Sequence, residues 1–106
     1  DGTAIRVPTP NVSLVDFKFN TQKAISVDEL NKKFQEYANG PLKGIMGVDT
    51  DPKVSSDYNH DSRSSILDLT ETTAVSDNFG RVLTWYDNEW GFSNRMLETT
   101  EQVCKL

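Results

Sequence analysis

Residues 85–94 read Trp-Tyr-Asp-Asn-Glu-Trp-Gly-Phe-Ser-Asn, and within this corner of the chain a strand pattern ends and a helix pattern begins. The preceding residues 79–86 are rich in β-branched and aromatic side chains, which predicts a strand with at least one buried face. After the corner, apolar residues recur at spacings of three and four, which predicts a helix that buries one stripe. The stripe consists of Met96, Leu97, Thr100, Val103 and Cys104.

The corner carries the polar side chains that a helix start needs. Asp87 and Asn88 are both good N-cap residues, and the charge of Glu89 suits the positive end of the helix dipole. Gly91 costs about 1 kcal/mol against alanine in a first helical turn, so we expect another group to approach its backbone closely. Asn88 has two interpretations: it caps an ordinary connection, or it offers its carboxamide to a ligand beside the apolar ring of Phe92.

Length and composition describe one modest domain. The 106 residues suit a single core, and a hydrophobic fraction of 36% is low enough that we expect another surface to cover part of the apolar area. A net charge of −5 argues against nucleic acid and anionic membranes as partners. No apolar run reaches the roughly 20 residues that span a bilayer, and no secretory signal is evident. The start at Asp1, without methionine, suggests a cut, and the single Cys104 fits a reducing, cytoplasmic location.

The other elements follow from local patterns. Residues 12–20 alternate as a long strand that we expect to be buried on both faces at first. Residues 26–39 form a helix that starts with a Ser26/Glu29 capping box, and its predicted buried stripe is Val27, Leu30, Phe34 and Tyr37. Residues 42–48 form a strand whose glycines indicate close packing rather than a phosphate loop, because the nucleotide fingerprint lacks its strand and helix.

Residues 49–63 are predicted to be a polar connection without metal or catalysis. The stretch Asp57 to Asp61 imitates a calcium loop poorly, because Ser62 replaces the glycine that the turn requires, so no metal site is expected. His60 has no nucleophile nearby in the sequence, and Cys104 is expected to be inert on a buried helical stripe. Both residues are interpreted as structural, and no catalytic residue is predicted in this chain.

Short links between the last strands define the fold class. Strands are predicted at residues 65–69, 71–76 and 79–86, with a tight hairpin at Asp77-Asn78, and short links make neighbours antiparallel. Together with the earlier strands they predict an α+β architecture: a mixed, largely antiparallel sheet with helices packed on one face.

Arg6 precedes the first strand in Arg-Val-Pro-Thr-Pro-Asn, where two prolines impose an extended, kinked path. One interpretation is a surface ion pair, which typically contributes about 0 to 1 kcal/mol. The other is a phosphate ligand, because the planar guanidinium fork matches phosphate oxygens.

Four blocks of sequence carry a resemblance to one family. They are residues 6–13 (Arg-Val-Pro-Thr-Pro-Asn-Val-Ser), 40–45 (Gly-Pro-Leu-Lys-Gly-Ile), 54–59 (Val-Ser-Ser-Asp-Tyr-Asn) and 85–95, the corner with Arg95. In this order, and over essentially the whole chain, the sequence resembles the phosphorylating glyceraldehyde-3-phosphate dehydrogenases. The resemblance implies that residues 1–106 are the C-terminal portion of the catalytic (substrate) domain and that the dinucleotide-binding domain is absent from this chain.

The resemblance also implies roles for three residues. Arg6 matches the arginine that grips the substrate phosphate and the attacking inorganic phosphate. Asn88 matches the residue that bonds the nicotinamide carboxamide, which leaves Asp87 as the helix cap. Phe92 matches a position that backs the nicotinamide ring and is often tyrosine in the family, so any role of that hydroxyl is lost here.

For the full-length protein, the resemblance implies a cytoplasmic, homotetrameric enzyme of glycolysis. It oxidises glyceraldehyde 3-phosphate with NAD and inorganic phosphate to 1,3-bisphosphoglycerate, and its catalytic cysteine and activating histidine lie upstream of Asp1. This chain alone is therefore expected to be inactive, and its residues do not distinguish NAD from NADP. Two alternatives remain: erythrose-4-phosphate dehydrogenase, which is similar in the same blocks, and a non-catalytic interaction or assembly module.

Overall fold

Four strands and two α-helices account for most of the chain. The computed structural model describes residues 1–106. In chain order the elements are β1 (Ser13–Asn20), α1 (Val27–Asn39), β2 (Met46–Asp49), a 3-10 helix (Ser55–Tyr58), β3 (Ser65–Ser76), β4 (Phe79–Tyr86) and α2 (Trp90–Cys104). Neither α-helix is both long and apolar enough to cross a membrane.

The strands form one sheet in the order β1-β4-β3-β2. β4 pairs antiparallel with both β1 and β3, whereas β2 runs parallel to β3. The two residues Asp77 and Asn78 join β3 to β4, as expected of a tight hairpin. The α+β class and the mixed, largely antiparallel sheet predicted from the sequence are confirmed.

β3 is one strand where the sequence predicted two, at residues 65–69 and 71–76. Its register against β4 shifts between Asp68 and Thr73, so the ladder contains a bulge. The Asp68 carboxylate accepts hydrogen bonds from the backbone N–H of Thr70 at 3.0 Å and from its hydroxyl at 2.6 Å. This local turn breaks the alternation of the sequence, but the pairing resumes beyond it, so the strand does not end.

The capping box of α1 forms as predicted. The N-cap Ser26 accepts from the Glu29 N–H at 3.3 Å, and the Glu29 carboxylate accepts from the Ser26 N–H at 3.2 Å. The helix ends at Gly40, whose N–H donates to the Tyr37 carbonyl at 3.2 Å. α1 packs on β2 and β3. Three residues of its predicted stripe, Val27, Leu30 and Phe34, are half-buried there, whereas the Tyr37 side chain is 49% exposed.

Two small apolar clusters form on opposite faces of β3, because successive side chains of a strand alternate. The buried residues under α1 are Leu67, Leu69 and Val82, with Phe34 packed against them. The other cluster contains Val12, Tyr58 and Ile66, with Trp85 packed against it. The rings of Tyr58 and Trp85 stack with centroids 5.5 Å apart. Residues 49–63 are thus more than the predicted polar connection, because Tyr58 from this segment covers a face of the sheet.

α2 and β1 keep large apolar side chains exposed. Gly91 is the only buried residue of α2, while Met96, Leu97 and Val103 are more than half exposed and Cys104 is exposed. The predicted burial of this stripe is wrong for the chain on its own, because α2 has few contacts with the strands and with α1, and no other element covers these side chains. β1 was predicted to begin with both faces buried, and this is also wrong: it is an edge strand that pairs only with β4.

The accessible surface of the chain is large for its mass. It measures 7733 Å² for 11.9 kDa, whereas folded monomers of that mass expose about 5,900 Å². Only 14 of 106 residues are buried. The accessible area exceeds that of a typical monomer, and α2 and β1 expose apolar side chains. This surface is suited to burial against another polypeptide.

The backbone around Gly91 is closely approached, as the sequence predicted. A Cβ atom at Gly91 would lie 2.9 Å from the backbone carbonyl oxygen of Arg63. Arg63 is itself held by the Asp61 carboxylate, which accepts from its backbone N–H at 2.9 Å and from its guanidinium at 2.9 and 2.5 Å. The first turn of α2 therefore depends on having no side chain at position 91.

We expect Gly91→Ala to lower the melting temperature of the chain. Alanine gains about 1 kcal/mol of helix propensity, but an overpacked backbone contact typically costs about 1 to 3 kcal/mol. Thermal unfolding followed by circular dichroism measures the balance. Ser93→Ala is the matched control, since Ser93 is exposed on the same helix and should lose no stability. A Gly91→Ala chain as stable as the Ser93→Ala chain would show that the approach of Arg63 is unimportant.

Candidate functional site

The corner joins β4 to α2 through Asp87, Asn88 and Glu89. The Asp87 carboxylate caps the helix: its Oδ1 atom accepts from the backbone N–H of Glu89 at 3.0 Å and of Trp90 at 2.8 Å. These N–H groups have no partner inside the helix, and an aspartate is well suited to satisfy them. Glu89 occupies the N-cap position and makes no capping hydrogen bond with its own side chain. As predicted, Asp87 rather than Asn88 supplies the capping hydrogen bonds, but it does so from two positions before the N-cap.

The other oxygen of Asp87 holds two distant parts of the chain. Its Oδ2 atom accepts from the Asn11 side-chain amide at 2.8 Å and from the His60 backbone N–H at 2.9 Å. The Asn11 amide also donates to Asn59 Oδ1 at 2.8 Å. One buried carboxylate, 2% exposed, therefore connects the segment before β1, the segment after the 3-10 helix and the start of α2.

These hydrogen bonds keep Asp87 ionised. Burial by itself raises the pKa of the Asp87 carboxyl, but the N–H groups of Trp90, His60 and Glu89, together with the Asn11 amide, outweigh it and lower the pKa below its ordinary value. A hydrogen bond to a charged group contributes about 1.5 to 3 kcal/mol, so four of them can offset the several kcal/mol that burying a carboxylate costs.

Two strained residues adjoin this carboxylate. Val12 has φ = 73° and His60 has φ = 63°, in the left-handed region that costs a side-chain-bearing residue about 1 to 3 kcal/mol. Val12 follows Asn11, and His60 donates its own N–H to Asp87. Both strained residues are thus fixed beside groups that Asp87 holds, which is a common arrangement at functional sites.

Asn88 caps no helix and is exposed. Its Nδ2 atom donates to the hydroxyl oxygen of Ser13 at 2.6 Å. No group of the chain donates to its Oδ1 atom, and its second amide hydrogen has no acceptor within the chain. A carboxamide with one free donor and one free acceptor on the surface can pair with a ligand that carries the complementary groups.

Two of the three predicted site residues, Asn88 and Phe92, belong to the corner, and the third, Arg6, lies outside it. Phe92 lies in the first turn of α2, four positions after Asn88, and its ring is 64% exposed. Arg6 lies in the exposed segment before β1 and forms no hydrogen bond or salt bridge within the chain. The interpretation of Arg6 as a surface ion pair therefore finds no partner here, and its guanidinium is available to a ligand.

His60 and Cys104 are not brought together. The His60 ring lies 5.2 Å from the Trp90 ring, at the start of α2, whereas Cys104 is the last residue of that helix and is exposed. Fourteen residues of helix separate Trp90 from Cys104 by about 21 Å. No group of three or more His, Cys, Asp or Glu side chains in the chain is arranged to hold a metal ion.

Sequence reasoning missed the partners of the two corner residues. The Asn11 side chain and the His60 backbone donate hydrogen bonds to Asp87, and the Ser13 hydroxyl accepts one from Asn88. Each pair is separated by 27 to 76 residues. No local pattern marks such a pair, because the contacts arise only when β1 pairs with β4 and the 49–63 segment folds over the sheet.

The fold and the corner together define an α+β domain that presents a carboxamide and an exposed aromatic ring at a strand-to-helix connection. The family model described as "Glyceraldehyde 3-phosphate dehydrogenase, C-terminal domain" matches residues 1–88, which is most of the chain. The chain belongs to the glyceraldehyde-3-phosphate dehydrogenase C-terminal domain family.

Curated relatives agree with the family model. The chain is 49% identical over 106 residues to glyceraldehyde-3-phosphate dehydrogenase of Cereibacter sphaeroides, and 50% identical over 106 residues to that of Xanthobacter flavus; each alignment covers 100% of this chain and 32% of the relative. It is 47% identical over 97 residues to glyceraldehyde-3-phosphate dehydrogenase 2 of Drosophila melanogaster, covering 92% of this chain and 29% of the relative. The chain thus spans about a third of the length of the curated relatives it matches.

The lowered pKa of Asp87 predicts an acid-sensitive fold. Its ionised form stabilises the chain above the unfolded pKa of about 3.9, and this contribution is lost as pH falls through the lower folded pKa. Asp87→Asn should therefore lower the melting temperature at neutral pH and reduce its further decline below about pH 4. Circular dichroism melts across this range measure both effects.

Asp28→Asn is the matched control, because Asp28 is an exposed carboxylate in the first turn of α1 and accepts no side-chain hydrogen bond. It should behave as the unmodified chain does. If Asp87→Asn and the unmodified chain lost stability in parallel as the solution was acidified, Asp87 would have no share in the acid sensitivity.

Proposed function

We propose that residues 1–106 form the C-terminal portion of the catalytic domain of a phosphorylating glyceraldehyde-3-phosphate dehydrogenase. The full-length enzyme oxidises glyceraldehyde 3-phosphate with NAD and inorganic phosphate and produces 1,3-bisphosphoglycerate. The proposal rests on the corner: the family model matches the chain as far as Asn88, and Asn88 keeps one donor and one acceptor free at the surface.

Asn88 is proposed to bind the carboxamide of the nicotinamide ring. That carboxamide has one carbonyl oxygen and one amino group, so it can accept from the free amide hydrogen of Asn88 and donate to Asn88 Oδ1. Two such bonds fix the orientation of the ring and hence the face that is presented to the substrate. The cofactor, when bound, supplies the hydride acceptor; the side chains of this chain bind and orient it.

Phe92 supports this binding as an apolar wall. Its ring is 64% exposed in the chain, which a large aromatic group in water does not favour. A flat ligand ring against Phe92 would remove apolar area from water and add an offset or tilted ring contact of about 0.5 to 1.5 kcal/mol. The position offers no hydroxyl, so the contact is purely apolar.

Arg6 is proposed to bind phosphate groups. Its guanidinium is exposed, always charged and unpaired within the chain, and its planar set of donors suits the substrate phosphate or inorganic phosphate. The chain has a net charge of −5, so a general electrostatic attraction for anions is absent and a specific arginine contact is needed to hold them.

The chemistry needs groups that this chain does not bring to the corner. Oxidation of the aldehyde through a thioester requires a thiolate and a base, and the one cysteine, Cys104, lies about 21 Å along α2 from the residue beside His60. We therefore propose that the isolated chain is inactive and that the nucleophile belongs to the remaining part of the subunit.

The same part of the subunit is proposed to cover the exposed surface. The apolar side chains of α2 and the open edge of β1 suit contacts with a dinucleotide-binding domain and with sister subunits of a cytoplasmic homotetramer. Burial of Met96, Leu97 and Val103 there would restore the stripe that the sequence predicts.

Replacement of Arg6 tests the proposal. In the full-length subunit, Arg6→Leu should raise the KM for glyceraldehyde 3-phosphate and for inorganic phosphate on the order of tenfold or more, because it removes a charge-assisted contact of about 1.5 to 3 kcal/mol. Steady-state NAD reduction with each substrate varied in turn measures the change.

Lys32→Leu is the matched control, since Lys32 is an exposed cation of α1 without an ion pair. It should leave both KM values unchanged. Equal kinetics for Arg6→Leu and Lys32→Leu would remove Arg6 from the site, and no NAD reduction with glyceraldehyde 3-phosphate by the unmodified full-length subunit would overturn the proposed function itself.

A further inference from the structure

Ser13 and Asn88 are 75 residues apart in the sequence and meet at the corner. Ser13 is the first residue of β1 and pairs with Tyr86, the last residue of β4. Its hydroxyl accepts from Asn88 Nδ2 at 2.6 Å and makes no other hydrogen bond in the chain. The surface carboxamide of Asn88 is therefore the one hydrogen-bond partner of the Ser13 hydroxyl.

We propose that Ser13 is a positioning residue, whose hydroxyl fixes the plane of the Asn88 carboxamide so that its free N–H and its Oδ1 face a nicotinamide carboxamide together. This inference rests on the proposed function, in which Asn88 contacts the cofactor. Ser13 itself contacts Asn88 and acts only through it.

The conformational preferences of asparagine make such a residue necessary. The terminal torsion of an Asn side chain is broad, so a surface carboxamide without a partner rotates and samples many orientations. Two simultaneous hydrogen bonds to a ligand need one orientation, and the cost of selecting it is subtracted from the binding free energy. A hydrogen bond from one amide hydrogen to Ser13 selects that orientation beforehand and leaves the other hydrogen free.

The backbone around Ser13 is held firmly enough for this task. Asn11, two residues earlier, is fixed by Asp87, and Asp87 directly precedes Asn88. Residues 11–13 are thus connected to residues 87–88 at two points, Asn11 to Asp87 and Ser13 to Asn88. Val12 lies between these points with φ = 73°, a strained conformation for a β-branched residue. Val12 is 6% exposed and packs with Tyr58 and Ile66, so the core also holds the backbone between the two connections.

Equilibrium binding of two probes to the full-length subunit separates positioning from general stability. NAD carries the nicotinamide, whereas ADP-ribose carries the rest of the dinucleotide without that ring. Ser13→Ala should raise the Kd for NAD about fivefold, the worth of one hydrogen bond of about 1 kcal/mol, and leave the Kd for ADP-ribose unchanged. Ser13→Thr keeps the hydroxyl and should restore most of the NAD affinity. Ser76→Ala, an exposed serine at the far end of β3, is the control and should alter neither constant.

A double-mutant cycle with Asn88→Ala shows whether Ser13 acts through Asn88. Asn88→Ala should weaken NAD binding, and adding Ser13→Ala should then weaken it no further, because the group that Ser13 positions is already gone. Additive effects, an unchanged Kd for NAD in Ser13→Ala, or equal loss of NAD and ADP-ribose affinity would each overturn the inference. An unchanged Kd for NAD in Asn88→Ala would instead overturn the proposed cofactor contact of Asn88, and the inference with it.

Discussion

The Asp87 carboxylate collects four N–H groups from three separate parts of the chain, and the geometry of the corner depends on it. It caps α2 with one oxygen and holds Asn11 and His60 with the other. Because these donors outweigh the cost of burial, the carboxyl stays ionised and its pKa is lowered. The strained backbones of Val12 and His60 are retained beside it. Asn88, the next residue, is presented to solvent from a backbone that is fixed on both sides.

Outside the corner, the chain buries few of its apolar side chains. Two small clusters form on the two faces of β3, and α1 covers one of them. α2 contacts the rest of the chain near its start, at Trp90 and Gly91 and through the Arg95 side chain. The Arg63 carbonyl leaves no room for a Cβ atom at Gly91. Its other apolar residues stay exposed, as do those of the edge strand β1. Such a chain has a fixed site and an open surface, which is what we propose for one portion of a larger subunit.

Local patterns predicted the elements whose causes are local. The Ser26/Glu29 capping box, the hairpin after Ser76 and the close approach to Gly91 all follow from neighbouring residues and short-range physics. The choice of Asp87 over Asn88 as the source of the capping bonds came from the family resemblance. The predicted burial of Cys104 and of β1 failed because the periodicity records a surface that is apolar, not what covers it. The pairs Asn11–Asp87 and Ser13–Asn88 could not be predicted, since only the sheet brings them together. The proposed roles of Arg6, Asn88 and Phe92 came from the family resemblance, and the structure adds the free donor and acceptor of Asn88.

We propose that this chain supplies one wall of a nicotinamide site and no nucleophile. The most direct test is NAD reduction by the purified 106-residue chain, supplied with glyceraldehyde 3-phosphate and inorganic phosphate, beside the full-length subunit as the positive control. We expect no rate above background from the chain alone and steady NAD reduction from the full-length subunit. A steady rate from the chain alone that a thiol reagent abolishes would contradict it, because Cys104 would then have to act as a nucleophile far from the corner.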